Sequence, residues 1–118
     1  MDVKIVSDDG NVVRLQVSGR ITQKQTEPDD EPIAKLLGKE GYSRKVLLDL
    51  SQAEYIDSSG VSWLLVAHKL FRGAGGKIVV YNVPPLVLNV LKVLRMQLVF
   101  DLAGDENEAA RKLEESAS

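Results

Sequence analysis

The sequence has no cysteine among its 118 residues. This absence excludes disulfides, thiol nucleophiles and cysteine-based zinc sites, and it fits a reducing compartment. The chain also lacks an excess of basic residues, since 15 Lys and Arg stand against 17 Asp and Glu, for a net charge of −2. Nucleic-acid binding usually needs a concentrated basic patch, so the composition predicts no nucleic-acid partner.

Long hydrophobic runs are absent as well. The apolar stretches are far shorter than the roughly 18 residues of a membrane span. The first ten residues, MDVKIVSDDG, contain acidic residues and no apolar core of a signal peptide. We therefore expect a cytoplasmic protein without direct membrane insertion, and the length favours a single domain over residues 1–118.

The first third of the chain predicts a β-hairpin followed by a loop and a short helix. Apolar and polar residues alternate over residues 3–6 and 13–18, on either side of a turn at Asp8–Asn11. The polar stretch Arg20–Pro32 predicts a loop, at whose end Asp29-Asp30 followed by Glu31-Pro32 predict a helix cap with proline in the first turn. Gly38 and Gly41 are predicted to end that helix.

The remainder alternates between strand and helix patterns. Buried strands are predicted at Arg44–Ser51 and at KIVVYNV, and a last short strand at QLVFDLA. Helices are predicted from GVSWLLVAHKLF, from the segment that Pro84 and Pro85 open, and from DENEAARKLEE. The apolar stripe of the first of these helices comprises Val61, Leu64, Leu65, His68 and Phe71, with Trp63 one residue off it. The order β-β-α-β-α-β-α-β-α predicts an α/β fold, with a mixed, mostly parallel sheet, an N-terminal hairpin and about four flanking helices.

No catalytic or cofactor pattern is apparent. His68, the only histidine, lies about 15 Å along a helix from Ser58, too far to act as its base. The glycine-rich Gly73–Lys77 leaves a helix and enters a strand, the reverse of a phosphate-binding loop, so it predicts a helix stop. Acidic pairs fall in predicted turns without a metal-ligand set. These patterns predict a protein that is not an enzyme and that has no catalytic residue, metal or cofactor.

One segment stands out, Asp57-Ser58-Ser59-Gly60, between a predicted strand and a predicted helix. Asp and Ser are preferred N-caps because their side-chain oxygens accept hydrogen bonds from free amides of the first turn. Glycine permits a tight bend or close approach to another backbone. The residues alone leave open whether Asp57 or a serine supplies the cap.

The stretch VLLDLSQAEYIDSSGVSWLL resembles the signature of the STAS domain (sulfate transporter and anti-sigma-factor antagonist). The resemblance extends over GGKIVVYNVPPLVLNVLKVLRM and VVRLQVSGRIT, and so over nearly the whole chain. It implies an anti-sigma-factor antagonist in which Ser58 is the phosphorylation site. The implied partners are an anti-sigma factor that is also a serine-protein kinase, and a serine phosphatase.

The resemblance also implies a partner-binding surface around the phosphorylation site, formed by Asp57, Ser59, Gly60, Ser62 and Thr22. Thr22 departs from the family pattern, since many members carry Asp there. Ser58 is preferred to Ser59 as phosphoacceptor because a residue at the strand–helix junction should be more exposed than one within the first turn.

Two other functions compete with this reading. STAS-like domains also serve as non-switching subunits of membrane transport or signalling complexes, and the segment Gln23–Pro32 would then be the contact. Nucleotide binding is a third hypothesis, which the lack of a phosphate-cradling loop disfavours.

Overall fold

A five-stranded sheet forms the centre of the structure, a computed structural model that describes residues 1–22 and 31–115. Its strands are β1 (Asp2–Asp8), β2 (Val12–Ile21), β3 (Lys45–Ile56), β4 (Lys77–Tyr81) and β5 (Asp101–Ala103). They lie side by side in chain order. β1 runs antiparallel to β2, and all later neighbours are parallel. The predicted mixed α/β sheet with an N-terminal hairpin is confirmed.

Helices cover both faces of the sheet unequally. They are α1 (Pro32–Leu37), α2 (Ser58–Ala74), α3 (Pro85–Val93) and α4 (Glu106–Glu114), with 3₁₀ turns at Lys39–Ser43 and Met96–Leu98. The main core lies on the face covered by α1, α2 and α3, against the buried side of β2. A smaller cluster lies under α4, where Leu47 and Val79 meet Ala109 and Leu113. β3 is thus buried on both faces, as its continuous apolar run predicts.

β2 and β3 are longer than the sequence pattern predicts. β3 continues to Ile56 instead of ending at Ser51, and Arg20 and Ile21 belong to β2 instead of a loop. The two strand ends pair in parallel, with Arg20 opposite Tyr55 and Ile21 opposite Ile56. Several residues of this extension are exposed, so no alternation of apolar residues marks it.

α1 begins within the predicted cap segment, with Pro32 in its first turn, but its end differs in part from expectation. Glu31 is the N-cap, where its carboxylate accepts hydrogen bonds from the amides of Ile33 and Ala34. Asp29 and Asp30, predicted as the cap, lie outside the described residues. Gly38 ends the helix with a φ of 74°, as predicted, but Gly41 does not. It lies buried in the 3₁₀ turn that follows.

The buried face of α2 is broader than the predicted stripe. Trp63 and Ala67 are buried, whereas Leu65 is only partly so. Trp63 belongs to the core because its indole N–H donates to the buried carboxylate of Glu31 over 2.6 Å. The last predicted strand is shorter, since Met96–Leu98 forms a 3₁₀ turn before β5. Within residues 1–22 and 31–115, no helix is long and apolar enough to cross a bilayer.

Candidate functional site

The turn between β3 and α2 lies at the carboxyl edge of the parallel strands. β3 ends at Ile56 and α2 begins at Ser58, so Asp57 alone forms the connection and is the N-cap of the helix. The carboxyl edge of a parallel sheet is where loops of α/β proteins usually carry binding sites. The turn is therefore placed where a functional surface is expected.

Asp57 shapes this turn. Its Oδ1 accepts hydrogen bonds from the Ser59 hydroxyl at 2.6 Å and from the Gly60 amide at 3.0 Å. The bond from Ser59, followed by that from Gly60, lowers the pKa of the Asp57 carboxyl below its usual range. Asp57 is therefore ionised at neutral pH, and its negative charge lies beside the first turn of α2, which it stabilises.

The two serines of the turn have different environments. Ser58 is exposed, whereas Ser59 is half-buried. Within the described part of the chain, the Ser58 hydroxyl forms no hydrogen bond, while the Ser59 hydroxyl donates to Asp57. Ser58 is the serine that another protein can reach without breaking the cap.

Gly60 holds α2 close to the end of β2. A β-carbon at this position would lie 2.0 Å from the carbonyl oxygen of Ile21, far inside van der Waals contact. The same carbonyl accepts a hydrogen bond from the Asp57 amide at 3.4 Å. Gly60 is buried, so it supports the predicted partner-binding surface from beneath instead of facing outward.

Thr22 and Ser62, also predicted for that surface, are both exposed. Thr22 directly follows β2, whose last residue pairs with the last residue of β3, so Thr22 lies at the same edge as the Asp57 turn. Ser62 lies one helical turn beyond Ser58 on α2. The structure thus brings Thr22 and Ser62 to the carboxyl edge together with Ser58.

Sequence reasoning missed an arginine–tyrosine pair at this edge. The guanidinium of Arg20 lies over the ring of Tyr55, 4.9 Å from its centroid, and both side chains are exposed. Such a cation–π contact is worth about 0.5–1 kcal/mol at an exposed site. Only the register that places Arg20 opposite Tyr55 shows the pair, and no sequence motif marks it.

A buried carboxylate network lies beneath α2. Glu31, 5% exposed, accepts hydrogen bonds from the Tyr42 hydroxyl and the Trp63 indole, both at 2.6 Å. Its two oxygens also accept from the amides of Ile33 and Ala34 at the start of α1. Four donors therefore compensate for burial of the charge and tie α1 to α2.

The far end of α2 carries a cavity of about 440 Å³. It is lined by His68, Phe71, Arg72, Gly75, Gly76, Lys77, Ile78, Val99, Asp101 and Glu115. Burial lowers the pKa of His68, whose ring contacts Phe100 with centroids 6.0 Å apart. At 1.5 Å per residue this end of α2 is about 25 Å from Ser58, so the cavity is separate from the serine turn.

The glycine-rich segment beside this cavity is a helix stop, as predicted. Gly75 caps α2 in the left-handed conformation, with a φ of 84°. At Gly76 a β-carbon would lie 2.1 Å from the carbonyl oxygen of Tyr42, so a side chain cannot fit between the chain and its neighbour. The glycines therefore serve the turn and the packing of β4.

Comparison with known proteins identifies the family. A family model described as "Mlab, STAS domain" matches residues 5–101. Because the match covers most of the chain, the protein belongs to the STAS domain family. BtrV of Bordetella bronchiseptica, proposed to be an anti-sigma factor antagonist, is 31% identical over 67 residues, or 57% of this chain and 58% of BtrV. The match thus spans less than two thirds of that relative's length.

Solved structures share the fold at low sequence identity. A Thermotoga maritima protein proposed to be an anti-sigma factor antagonist has a TM-score of 0.76 and 20% identity, covering 97% of this chain and 94% of its own. An anti-sigma factor antagonist from Mycobacterium paratuberculosis has a TM-score of 0.69 and 20% identity, with coverages of 97% and 96%. Unphosphorylated SpoIIAA, another anti-sigma factor antagonist, has a TM-score of 0.59 and 14% identity, with coverages of 94% and 96%. The chain therefore has the STAS fold.

Proposed function

We propose that this protein is a regulatory binding module of the anti-sigma-factor-antagonist type, switched by phosphorylation of Ser58. The unphosphorylated form binds an anti-sigma factor that is also a serine-protein kinase, the phosphorylated form is released, and a serine phosphatase restores binding. The protein is the substrate of these enzymes and not an enzyme itself. The observation that supports this is the separation of the serines, since Ser58 is exposed and unbonded within the described residues while Ser59 serves the cap.

The first turn of α2 can hold a phosphate without unfolding. A phosphoserine carries about −1.5 to −2 charges at neutral pH. Ser58 is the first residue of a 17-residue helix, where the positive end of the dipole attracts anions. Because Asp57 already accepts the Gly60 amide, the cap stays in place when Ser58 is modified.

The switch would act on the partner. A phosphate buried in a docking surface must be desolvated, and the negative charge of Asp57 beside it adds to the repulsion of acidic partner groups. Such effects at an interface cost roughly 2–5 kcal/mol. Each 1.4 kcal/mol is about a tenfold change in affinity, so one phosphate can change a bound complex into a dissociated one.

Phosphorylation is tested by incubating the full chain with the cognate kinase and ATP, followed by peptide mass spectrometry. The matched variants are Ser58→Ala and Ser59→Ala, which differ only in which hydroxyl is removed. We expect phosphate on Ser58 in the wild type and in Ser59→Ala, and none in Ser58→Ala. Phosphate on Ser59 in the wild type would overturn the assignment.

The effect on binding is tested by calorimetry with the purified anti-sigma factor. Ser58→Asp adds a charge, and Ser58→Asn is its neutral control of equal size. We expect Ser58→Asp to weaken binding by about tenfold or more, because a charge then has to be desolvated, and Ser58→Asn to change it little. Equal affinities for both variants would rule out the charge switch.

A second function is favoured by the family itself, since the name STAS covers sulfate transporters as well as anti-sigma-factor antagonists. In that case the protein is a non-switching subunit of a transport or signalling complex. The contact predicted for this role, Gln23–Pro32, lies outside the described residues except for Glu31 and Pro32. Glu31 is buried and cannot contribute to such a contact. Co-purification of a stable complex that Ser58→Asp leaves intact would support this role over the switch.

A further inference from the structure

The outer face of α3 and the turn after it expose unusually large apolar side chains. Among the described residues, the three most exposed large apolar side chains are Leu98 at 77%, Val93 at 73% and Leu86 at 59%. All three fall within one segment of the chain, and Leu94 and Val99 there are exposed as well. Apolar side chains clustered in this way mark an interaction site more often than single exposed ones do.

The spacing on α3 defines two apolar faces. Val87 and Leu91 are fully buried against the sheet. Leu86, Val90 and Val93 are separated by four and three residues, so they form a stripe on another face of the helix. A helix that is apolar all round is normally buried on all sides. Val90 is partly buried against the core, so Leu86 and Val93 are the exposed members of this stripe.

The charges beside this stripe have one sign. From Asn82 to Phe100 the only charged residues are Lys92 and Arg95, although the whole chain has a net charge of −2. Within residues 1–22 and 31–115 neither forms an ion pair, whereas Arg14, Arg44 and Lys45 each pair with a carboxylate. The stripe is thus flanked by positive charge available to an acidic partner.

Arg95 has a backbone conformation that disfavours most residues with a side chain. Its φ of 59° lies in the left-handed region, where glycine and asparagine are favoured. The residue lies just beyond the end of α3, and its amide donates to the carbonyl of Lys92 over 3.0 Å. A left-handed residue is common just beyond the end of a helix, where glycine is the usual choice. Arg95 thus places a cation where glycine would remove the strain.

The start of this face and the serine turn both follow the carboxyl ends of parallel strands. β3 and β4 are adjacent and parallel, so the connection from β3 to α2 and the connection from β4 to α3 leave the same edge. Ser58 begins α2 and Pro85 begins α3, with Leu86 directly after it. The exposed stripe therefore starts at the edge that carries Ser58 and runs away from it.

We propose that the α3 surface, defined by Leu86, Lys92, Val93, Arg95 and Leu98, docks an acidic amphipathic helix of the partner protein. The stripe on α3 has the spacing that packs against another helix, and the two cations pair with carboxylates on its flank. The inference deepens the proposed function and rests on it, because the partner is taken to be the one that Ser58 controls.

Two other occupants fit the charges less well. A second copy would bring the same two cations and no carboxylate from this surface, so its charges would stay unpaired. A membrane surface usually needs a cluster of about four to eight Lys or Arg, or interfacial aromatic residues. The α3 surface has two cations and no aromatic residue. An acidic protein segment is the occupant that complements both features.

The probe is a synthetic amphipathic helix with leucine on one face and glutamate on the other. The control peptide replaces every glutamate with lysine. Amide chemical shifts of the full chain are followed during titration with each peptide. We expect the acidic peptide to shift residues 86–98 and to bind about tenfold more tightly than the basic one.

Two variants sharpen the test. Val93→Asp places a charge in the stripe, and we expect about tenfold weaker peptide binding with an unchanged circular dichroism spectrum. Arg95→Gly removes the cation and relieves the strain, so binding should weaken while the melting temperature stays equal or rises. Loss of binding together with loss of stability in Arg95→Gly would show that the residue is structural and would overturn its role.

Three results would overturn the proposal. They are equal affinity for the two peptides, tighter binding to vesicles of phosphatidylglycerol and phosphatidylethanolamine than to the acidic peptide, and a dimer in ultracentrifugation that Val93→Asp dissociates. Binding of each variant to the purified kinase partner distinguishes this inference from the proposed switch. If Val93→Asp weakens that complex while Ser58→Asp does not, the switch fails and the docking surface stands. If Ser58→Asp weakens the complex while Val93→Asp does not, the docking surface is overturned and the switch stands.

Discussion

Gly60 at the start of α2 packs directly on the backbone carbonyl of Ile21 at the end of β2. A β-carbon on Gly60 would lie 2.0 Å from that oxygen and 2.9 Å from the Ile56 side chain. The carbonyl cannot move away freely, since it also accepts a hydrogen bond from the Asp57 amide. The position of the serine turn is therefore set by the absence of a side chain at residue 60.

Gly60→Ala is expected to destabilise the protein by about 1–3 kcal/mol or more, because overpacking against backbone forces α2 off the sheet. Urea denaturation followed by circular dichroism measures the loss. Gly73→Ala is the matched control on the same helix, where a β-carbon meets no atom within 4 Å. It should stabilise by about 0.5–1 kcal/mol through helix propensity. Equal effects of the two variants would contradict the close approach.

Glu31→Gln is expected to cost about 2–5 kcal/mol. Each carboxylate oxygen of Glu31 accepts two hydrogen bonds, and the amide group of glutamine turns N–H toward two of the four donors. Each buried donor left without an acceptor costs about 1–3 kcal/mol. Fluorescence of Trp63, the only tryptophan, follows unfolding and reports the lost bond. Trp63→Phe removes one donor and should lower the free energy of unfolding by less. Because this variant has no tryptophan, its unfolding is followed by circular dichroism.

Ser59→Ala is expected to raise the pKa of Asp57, since the Ser59 hydroxyl is the main cause of its lowering. The sign follows from the depressed pKa in the folded state. The contribution of Asp57 to stability is present above its unfolded pKa and is lost as pH falls through the folded value. In Ser59→Ala the pH window of this loss should narrow from its acidic end, so Asp57 contributes less to stability. Carboxyl NMR measures the pKa, and Ser58→Ala, which should leave it unchanged, is the control.

The ion pair between Asp8 and Arg44 predicts an acid-sensitive contribution at the other end of the sheet. Two hydrogen bonds of 2.6 and 2.8 Å from the guanidinium lower the pKa of Asp8 to about 2 from its ordinary 3.8. The stabilisation is therefore complete above the ordinary value and is lost between 3.8 and about 2. Arg44→Gln should raise the Asp8 pKa and flatten the pH dependence in that window. An unchanged NMR titration of Asp8 would refute the pair.

The helix–strand alternation of the sequence was sufficient to predict the fold, because its strongest signals are local. Val13, Leu15 and Val17 alternate with polar residues and are all fully buried. The Asp105 cap accepts a hydrogen bond from the amide of Glu108, only three residues later. The serine turn could also be predicted as a capped helix start. The residue that caps it could not, since Asp57, Ser58 and Ser59 all carry suitable oxygens.

What the sequence could not predict depends on residues far apart in the chain. Glu31 is a buried hub because Tyr42 and Trp63, 11 and 32 residues away, bring donors to it. The Arg20–Tyr55 pair needs the register of two strands. The exposure of Leu94 needs the end of α3 at Val93, since helical spacing alone groups it with the buried Leu91. Local patterns carry no information about these distances.

The order of the sheet has a consequence for synthesis on the ribosome. Each strand pairs with the one that precedes it in the chain, so every strand finds its neighbour already made. Protein chains emerge at about 5–20 residues per second and fold from their N-terminal side. β2, β3 and the serine turn are complete before Leu86 is synthesised. A nascent or truncated chain would therefore present Ser58 without the α3 surface. It would compete poorly with the full-length protein for a partner that contacts both Ser58 and the α3 surface.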